Sequence, residues 1–309
     1  MNNKKSFKKN NTDNFSKKSN KKKLIKRSSN QVRVVGKGPD VPKLKGMTNP
    51  LRPNKEIVSK PAPKFTEEVR LNKYIANAGI CSRRKADELI EQGLVKVNGE
   101  VITAMGHKVQ PGDVVLYNGE RVVKDDKKYV LLNKPKDFIT TTSDERGRKT
   151  VMQLIKKAVQ GERLYPVGRL DRNTTGLLLI TNDGTLTQHL SHPSTNVVKV
   201  YLVELDKPIR PEDLIAIREG VELEDGFIKV DEIDITEPQV DARFIGVAIH
   251  SGRNRIVRRI FEHFGYDVKN LDRVSFAGLT KKNLPRGKWR YLTEKELVYL
   301  KHLTAGGQK

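Results

Sequence analysis

The chain has 309 residues and a formal net charge of +23, so it is long enough for two domains and far more basic than a neutral enzyme needs to be. Such a charge indicates a polyanionic partner, either nucleic acid or an anionic membrane surface. No apolar run approaches the length of a membrane span, and the N-terminus has no apolar signal core. The single cysteine, Cys81, excludes an internal disulfide and a multi-cysteine metal site. Nucleic acid, met in a reducing cytoplasm, is therefore the expected partner.

The first 66 residues form a basic tail that is rich in Lys, Asn and Ser. They contain 19 Lys and Arg against three acids, 19 − 3 = +16, which leaves +7 for the remainder of the chain. The tail has too few apolar residues to offset the entropy of ordering, so we predict a disordered arm over 1–66. The arm either raises RNA affinity by releasing counterions or is a solubilising extension, and neither role carries sequence specificity.

Residues 67–124 are predicted to form a compact module of two helices and a hairpin. Apolar residues from Leu71 to Ala78 recur at the spacing of one helix face. Ser82 can cap a second helix, and Asn98-Gly99 between two short apolar runs is a strong hairpin signal.

Three cations, Arg83, Arg84 and Lys85, lie in the predicted first turn of this second helix. The helix macrodipole disfavours positive charge at that end, so local helix stability does not explain them. Contacts with RNA phosphates would explain them, and a solvated basic face is the alternative.

Residues 128–309 are predicted to form a larger domain. It begins with an apolar strand, Tyr129–Leu132, which ends before Pro135. The polar loop that follows carries Arg146 and Arg148, which either touch phosphates or are simply solvated. Further patterns predict helices at 151–159, 186–190, 211–219 and before Gly265, and strands at 197–205, 227–235 and 243–250. The mixture indicates an α+β fold with a mostly antiparallel sheet.

The central segment of this domain, Gly168–Gly184, has the sequence GRLDRNTTGLLLITNDG. A charged loop leads directly into an apolar run of strand length, Leu177–Thr181, and Asn182-Asp183-Gly184 marks a turn. Asp171 is therefore expected at the edge of the core, on a rigid element. Such a carboxylate either pins its loop by hydrogen bonds to the backbone or performs chemistry, and the residues alone leave both open.

A second basic segment, 252–259, has the sequence GRNRIVRR and leads into the helix that ends near Gly265. The apolar stripe of that helix defines its buried side. At about 100° per residue, Arg255 and Arg259 point away from the stripe, whereas Arg258 lies on its flank. Only Arg258 is expected to reach a site at the core boundary. Arg253 and Arg255 are candidates for contacts with RNA.

The central segment resembles the catalytic motif of the pseudouridine synthases that modify ribosomal RNA and carry an S4 domain, the RsuA/RluB family. The S-R-R-K-A run and the V-x-V-N-G turn of the first module resemble an S4 RNA-binding domain. The overall resemblance is nearest to the large-subunit, B-type enzymes. It covers residues from Val69 onward, so the domains are expected at 67–124 and 128–309, after the arm at 1–66.

The resemblance implies roles for individual residues. Asp171 is implied to be the nucleophile, and Arg258 is implied to pair with it. Tyr201, in the Lys-x-Tyr context of Lys199, is implied to pack against the target uracil, although a tyrosine in an apolar strand is ordinarily a core residue. The family's Lys134-Pro135 is implied to be structural. Ile256 stands where many relatives carry Gln.

The implied function is isomerisation of a specific uridine in ribosomal RNA, expected to be 23S, to pseudouridine. Arg169 joins the expected RNA contacts. The histidines show no metal-ligand spacing and the chain has no phosphate-cradling glycine loop, so no metal and no cofactor are expected. We expect a monomer that acts in the cytoplasm on ribosomal RNA or a pre-ribosomal particle.

Two other functions remain open from the sequence. A non-catalytic S4-type RNA-binding or ribosome-assembly protein would suit the tail, the small module and the charge equally well, but has no need for Asp171 and a flanking arginine. A hydrolase is less well supported, because no second carboxylate lies near Asp171 in sequence. The residues also leave open whether Asp171 attacks the sugar, attacks the base or assists elimination.

Overall fold

The structure is a computed structural model, and it describes residues 68–123, 125–159, 161–236 and 241–305. The arm predicted at 1–66 lies outside the described residues. Among the helices of the described part, none has both the length and the apolar character needed to cross a bilayer.

The N-terminal module contains the two helices and the hairpin predicted for it. Ser82 Oγ accepts a hydrogen bond from the main-chain N–H of Lys85 at 3.2 Å and so caps the second helix. Asn98 and Gly99 have φ values of 51° and 91°, the pair of positive values that a type I′ hairpin turn requires. The elements are β1 (Val69–Arg70), α1 (Leu71–Asn77), α2 (Arg83–Glu91), β2 (Val95–Val97), β3 (Glu100–Val101), β4 (Lys108–Val109), β5 (Val115–Tyr117) and β6 (Glu120–Arg121).

The larger domain is built on one nine-stranded sheet. Its elements are β7 (Tyr129–Lys134), α3 (Val151–Leu154), β8 (Tyr165–Pro166), β9 (Thr175–Thr181), α4 (Gly184–Ser191), β10 (Lys199–Leu205), α5 (Pro211–Glu219), β11 (Val221–Leu223), β12 (Gly226–Ile228), β13 (Glu232–Ile235), β14 (Phe244–Ile249), α6 (Ile256–His263), β15 (Val268–Phe276), β16 (Leu279–Thr280), β17 (Trp289–Tyr291) and α7 (Glu294–Ala305).

The order of the main strands is β13-β14-β10-β15-β9-β7-β17, with β16 beside β15 and β8 beside β9. The pairing of β9 with β15 is parallel, and the other pairings in this sheet are antiparallel. The predicted α+β fold with a mixed, mostly antiparallel sheet is therefore confirmed.

Two predictions about elements are wrong, and one long strand has no predicted counterpart. The helix expected at 151–159 ends at Leu154, because Ile155 leaves helical geometry at φ −101° and ψ 11° and the chain continues as a turn. The strand expected at 227–235 is two strands, β12 and β13, which pair with different partners. Strand β15 was not predicted at all, because its charged residues at 269, 272 and 273 interrupt an apolar pattern.

Strands β7 and β9 are buried along their whole length, which explains their nearly unbroken apolar sequences. Leu177 and Leu179 pack into one core cluster, whereas Leu178 and Ile180 pack into another on the opposite face. A strand held from both sides is a rigid base for the loop that precedes it.

The parallel pair β9 and β15 is unusually close at Gly176. A Cβ atom at this position would lie 2.2 Å from the main-chain oxygen of Arg273, and the φ of Gly176 is +105°. Both facts restrict the position to glycine. Next along β15, Asp272 accepts a hydrogen bond from Thr175 Oγ1 at 2.9 Å and also binds Lys281 and Arg286.

Candidate active site

The predicted catalytic loop lies where β9 begins, and Asp171 is the carboxylate that this loop presents. The side chain of Asp171 is 41% exposed, so it can meet a substrate. Its backbone is fixed on both sides. The N–H of Thr174 donates to the oxygen of Asp171 at 3.1 Å, and Thr140 Oγ1 both donates to the oxygen of Leu170 at 2.8 Å and accepts from its N–H at 3.2 Å.

Lys134 fixes the backbone of this loop through hydrogen bonds. It is the last residue of β7 and is fully buried. Its Nζ donates to the main-chain oxygens of Asp171 at 2.9 Å, Arg172 at 3.0 Å and Thr174 at 2.8 Å. Burial lowers the pKa of Lys134 to about 8, an effect that the negative charge of Asp171 partly opposes. The lysine thus stabilises the loop conformation, in agreement with the structural role that the resemblance implied.

A cleft opens beside the loop, and its lining is strongly basic. Asp171 is the single carboxylate among the lining residues. Five cations share the cleft with it: Arg169, Lys199, Arg253, Arg255 and Arg273. One carboxylate among five cations gives the cleft a positive potential that suits a polyanionic substrate.

Tyr201 lines the cleft and lies on β10, an interior strand of the sheet. It pairs in register with Val247 of β14 on one side and with Arg273 of β15 on the other. Its ring is partly buried against two core clusters, while the residue still lines the cleft. Tyr201 is thus both part of the core and accessible from the cleft, and its contact with the target uracil stays a prediction.

The arginine that ion-pairs with Asp171 is Arg255, which corrects the prediction made from helical phase. Its Nη1 lies 4.0 Å from Asp171 Oδ2, and its Nη2 donates to Glu262 at 3.0 Å. Arg255 precedes α6 and has a left-handed backbone with φ 48°, so the 100° rotation per residue does not apply to it. A left-handed residue at a helix start could not be foreseen from the apolar stripe.

Arg258 is buried on the flank of α6, as the stripe predicted, but it forms no ion pair with Asp171. Its Nη1 donates to the main-chain oxygen of Val268 at 2.6 Å. Burial lowers the pKa of Arg258, the charge of Arg255 lowers it further, and Asp171 acts in the opposite direction. Arg258 is therefore close enough to Asp171 to interact through charge, and its catalytic role stays a prediction.

Arg253 and Arg259 share Asp225 as an ion-pair partner, at 3.5 Å for Arg253 and 2.8 Å for Arg259. Arg259 binds both oxygens of Asp225, at 2.9 and 2.8 Å, and does not line the cleft. Arg253 donates to the main-chain oxygens of Gly226 at 2.8 Å and Phe227 at 3.1 Å, and remains exposed. Of the two, Arg253 lines the cleft and adds positive charge there.

The remaining predicted RNA contacts lie on exposed surface. Arg169 and Arg146 are exposed. Arg148 forms an ion pair with Asp144 at 2.5 Å, so its charge is already partly neutralised. In the N-terminal module, Arg83 and Arg84 are exposed in the first turn of α2, whereas Lys85 binds Glu88 at 2.7 Å. None of these assignments is tested by the geometry, and they stay predictions.

Among the described residues, no group of three His, Cys, Asp or Glu side chains could hold a metal ion. The prediction that the reaction needs no cofactor stays a prediction.

Two residues of the site were not identified as functional from the sequence. Lys134 was expected to be structural only, but a lysine at the end of a mostly apolar strand is itself a signal, because a buried ammonium needs several acceptors. Arg273 lies on β15, the strand that was not predicted, so nothing in the pattern could have brought it to the cleft.

The comparisons with known proteins agree with this arrangement. The family model for RNA pseudouridylate synthase matches residues 128–263, and that for the S4 domain matches residues 69–115. An uncharacterized RNA pseudouridine synthase of Aquifex aeolicus (strain VF5) is 43% identical over 235 residues, covering 75% of this chain and 94% of the relative. The chain belongs to the RNA pseudouridine synthase family.

Two further similarities place the chain within this family. The ribosomal large subunit pseudouridine synthase B of Bacillus subtilis (strain 168) is 41% identical over 242 residues, which are 77% of this chain and 98% of that one. The crystal structure of a pseudouridylate synthase matches with a TM-score of 0.55 and 30% identity, covering 75% of this chain and 99% of the other. The predicted family, the S4 domain and the enzyme class are confirmed, and the substrate of this pseudouridine synthase is RNA. The exact domain boundaries at 67–124 and 128–309 stay predictions.

Proposed function

We propose that this RNA pseudouridine synthase isomerises a specific uridine of ribosomal RNA, with Asp171 as the nucleophile. The bond between C1′ and N1 breaks, the uracil turns, and it rejoins C1′ through C5. One observation carries the proposal: Asp171 projects from a loop fixed by a buried lysine into a cleft that otherwise carries only positive charges. A preorganised carboxylate is what nucleophilic attack at a sugar carbon requires.

Tyr201 and two arginines complete the proposed machinery. The partly exposed ring of Tyr201 provides an apolar surface for the base after it leaves its stack, a step that costs a few kcal/mol. Arg255 stabilises the carboxylate of Asp171 directly, at 4.0 Å. Arg258 supports it from the buried side, through its charge and by fastening α6 to Val268.

The remaining cations are proposed to bind RNA phosphates. Arg83, Arg84 and Lys85 lie on the S4 domain, Arg169 and Arg253 line the catalytic cleft, and Arg146 and Arg148 are exposed elsewhere on the larger domain. Charges of this kind position RNA without selecting a base, and the affinity that they give falls with salt. The basic arm over 1–66 adds to the same effect.

We further propose that the target lies in 23S RNA, within free RNA or a pre-ribosomal particle. The similarity to the large subunit enzyme of Bacillus subtilis supports this choice. The protein is proposed to act as a monomer in the cytoplasm and without a cofactor. The alternative, a non-catalytic S4-type binder, gives no reason for an exposed carboxylate whose loop is held by three hydrogen bonds from a buried lysine.

The test is a map of pseudouridine in 23S and 16S RNA from cells that lack this chain. We expect one modification to disappear, to return with the wild-type chain, and to remain absent with Asp171→Asn. Asp137→Asn is the matched control, because Asp137 is an exposed carboxylate paired with Arg172 outside the cleft. Restoration by Asp171→Asn would show that another group is the nucleophile, and loss of a 16S site would move the target to the small subunit.

A further inference from the structure

Arg273 is a buried cation on the floor of the catalytic cleft. It is only 4% exposed, yet it lines the same cleft as Asp171 and Tyr201. Its Nε donates to the main-chain oxygen of Leu177 at 2.7 Å, and the guanidinium carbon lies 4.6 Å from the centre of the Phe276 ring. These contacts fix the orientation of the side chain.

The charge of Arg273 has no counter-ion within the described residues. No carboxylate there lies within ion-pairing distance of it, and its Nη2 is buried without a hydrogen-bond partner. Nearby, Lys199 donates to the oxygen of His250 rather than to an acid. Burial lowers the pKa of Lys199 to about 8, and the charge of Arg273 contributes to that shift. Burying unpaired charge is costly, so such a group is expected where a ligand completes it.

The position of Arg273 indicates which part of an RNA could reach it. Arg273 pairs in register with Tyr201, and Val274 is skipped in this pairing, so a β-bulge lies directly beside the two residues. Bulges of this kind re-aim a side chain and are frequent next to active sites. Arg169 and Arg253 are exposed cations of the cleft and are therefore accessible to a phosphate, whereas Arg273 is buried. A flat base that stacks on Tyr201 can place its polar edge next to Arg273.

We propose that Arg273 is a further catalytic residue, which donates hydrogen bonds to a carbonyl oxygen of the target uracil and stabilises the negative charge that develops on the base. This inference rests on the proposed function. As an oxygen of Asp171 bonds to C1′, the electron pair of the C1′–N1 bond moves onto N1 and spreads to the ring carbonyl oxygens. After the base turns, C5 attacks C1′ and the bond to Asp171 breaks. C5 then loses its proton, and N1 gains one.

The first experiment measures single-turnover rates at saturating RNA for Arg273→Met and Arg273→Lys. We expect the rate of Arg273→Met to fall about 10²–10³-fold, the effect of losing one donor to a developing anion. RNA affinity and its salt dependence should stay within about threefold of wild type, because a donor to the base edge releases no phosphate counterions. Arg273→Lys should retain an intermediate rate. An unchanged rate with weaker, less salt-dependent binding would overturn the proposal and assign Arg273 to a phosphate.

A second experiment separates chemistry from a structural defect, and uses Arg273→Lys if Arg273→Met does not fold. The target uridine is replaced by 5-fluorouridine, whose base forms a more stable anion. Cleavage of the C1′–N1 bond is measured as the disappearance of the fluorinated nucleoside. If Arg273 stabilises the anion, the variant should slow the fluorinated substrate less than uridine. Equal slowing of both would overturn the inference while leaving wild-type activity, and hence the proposed function, intact.

Discussion

Lys134 lies directly beneath Asp171, and its Nζ donates to the main-chain oxygen of that residue at 2.9 Å. The contact joins the end of one buried strand to the loop that opens the next. It explains how a side chain exposed to solvent can project from a backbone that is held rigidly. The position of the proposed nucleophile therefore depends on a fully buried residue.

Replacing Lys134 by methionine should leave the chain folded but impair catalysis. The main-chain oxygens of Asp171, Arg172 and Thr174 would lose their shared donor, while removal of a buried charge offsets part of the cost. We expect turnover at saturating RNA to fall at least about tenfold, since small misplacements of a catalytic group are costly. RNA affinity should change little, and hydrogen exchange should increase in residues 168–174. Normal turnover in Lys134→Met would mean that the loop is rigid without this lysine.

Lys134 should make the free energy of unfolding rise with pH in a defined range. Its pKa is lowered from 10.5 to about 8 in the folded chain, so the unfolded chain binds more protons between those values. Burying the charged ammonium of Lys134 destabilises the folded chain. This cost is fully present below about pH 8 and is removed as pH rises toward 10.5. The free energy of unfolding of the wild type, relative to Lys134→Met, should therefore rise by up to about 1.4 kcal/mol per pH unit in that window.

Denaturant titrations from about pH 7 to about pH 10.5 would measure this difference. Lys136→Met is the control, because Lys136 is exposed and its removal should give no such trend. A difference between wild type and Lys134→Met that is flat with pH would contradict the assignment.

The three arginines around α6 should respond differently to truncation. Arg255→Ala should lower turnover with little change in stability, because it removes an exposed ion pair to Asp171. Arg258→Ala should lower both, by about 1–3 kcal/mol in stability, because the buried oxygen of Val268 loses its donor. Arg259→Ala is the matched control, because it removes the ion pair between Arg259 and Asp225 and leaves Asp171 untouched.

Thermal melts and turnover at saturating RNA distinguish these cases. An equal loss of turnover in all three variants would instead indicate a general RNA-binding patch.

The basic turn of the S4 domain should act through binding and not through chemistry. The double substitution Arg83→Ala and Arg84→Ala should weaken RNA binding and reduce the log–log salt slope by a little under two units. Lys85→Ala should have a smaller effect, because Glu88 already neutralises part of its charge. Fluorescence titrations over a range of salt concentrations measure the slope, and an unchanged slope would leave these residues as a solvated face.

Removal of residues 1–66 tests the arm. Its net charge of +16 predicts weaker binding and a shallower salt dependence, with the same uridine still modified. Sequencing of the modified RNA and the same titrations provide both results. Modification of a different uridine by the truncated chain would mean that the arm also selects the site.

Most of the fold could be predicted from the sequence wherever a pattern was local. The hairpin at Asn98-Gly99, the helix at Pro211–Glu219 and the buried strand after Asp171 all follow from turn residues or regular apolar spacing, and each is confirmed. The site was predicted less completely. The identity of the cation beside Asp171 depends on the left-handed backbone of Arg255, and the floor of the cleft depends on β15, whose charged residues conceal a strand.

Adjacent opposite charges in β15 also determine how the sheet can assemble. Asp272 meets Lys281 and Arg286 on one side, while Arg273 meets the oxygen of Leu177 on the other. A shift of β15 by one residue would turn the carboxylate toward that oxygen and the guanidinium toward two cations. Such a shift is therefore disfavoured at both positions, so the two adjacent charges help to specify the register that brings Arg273 to the cleft.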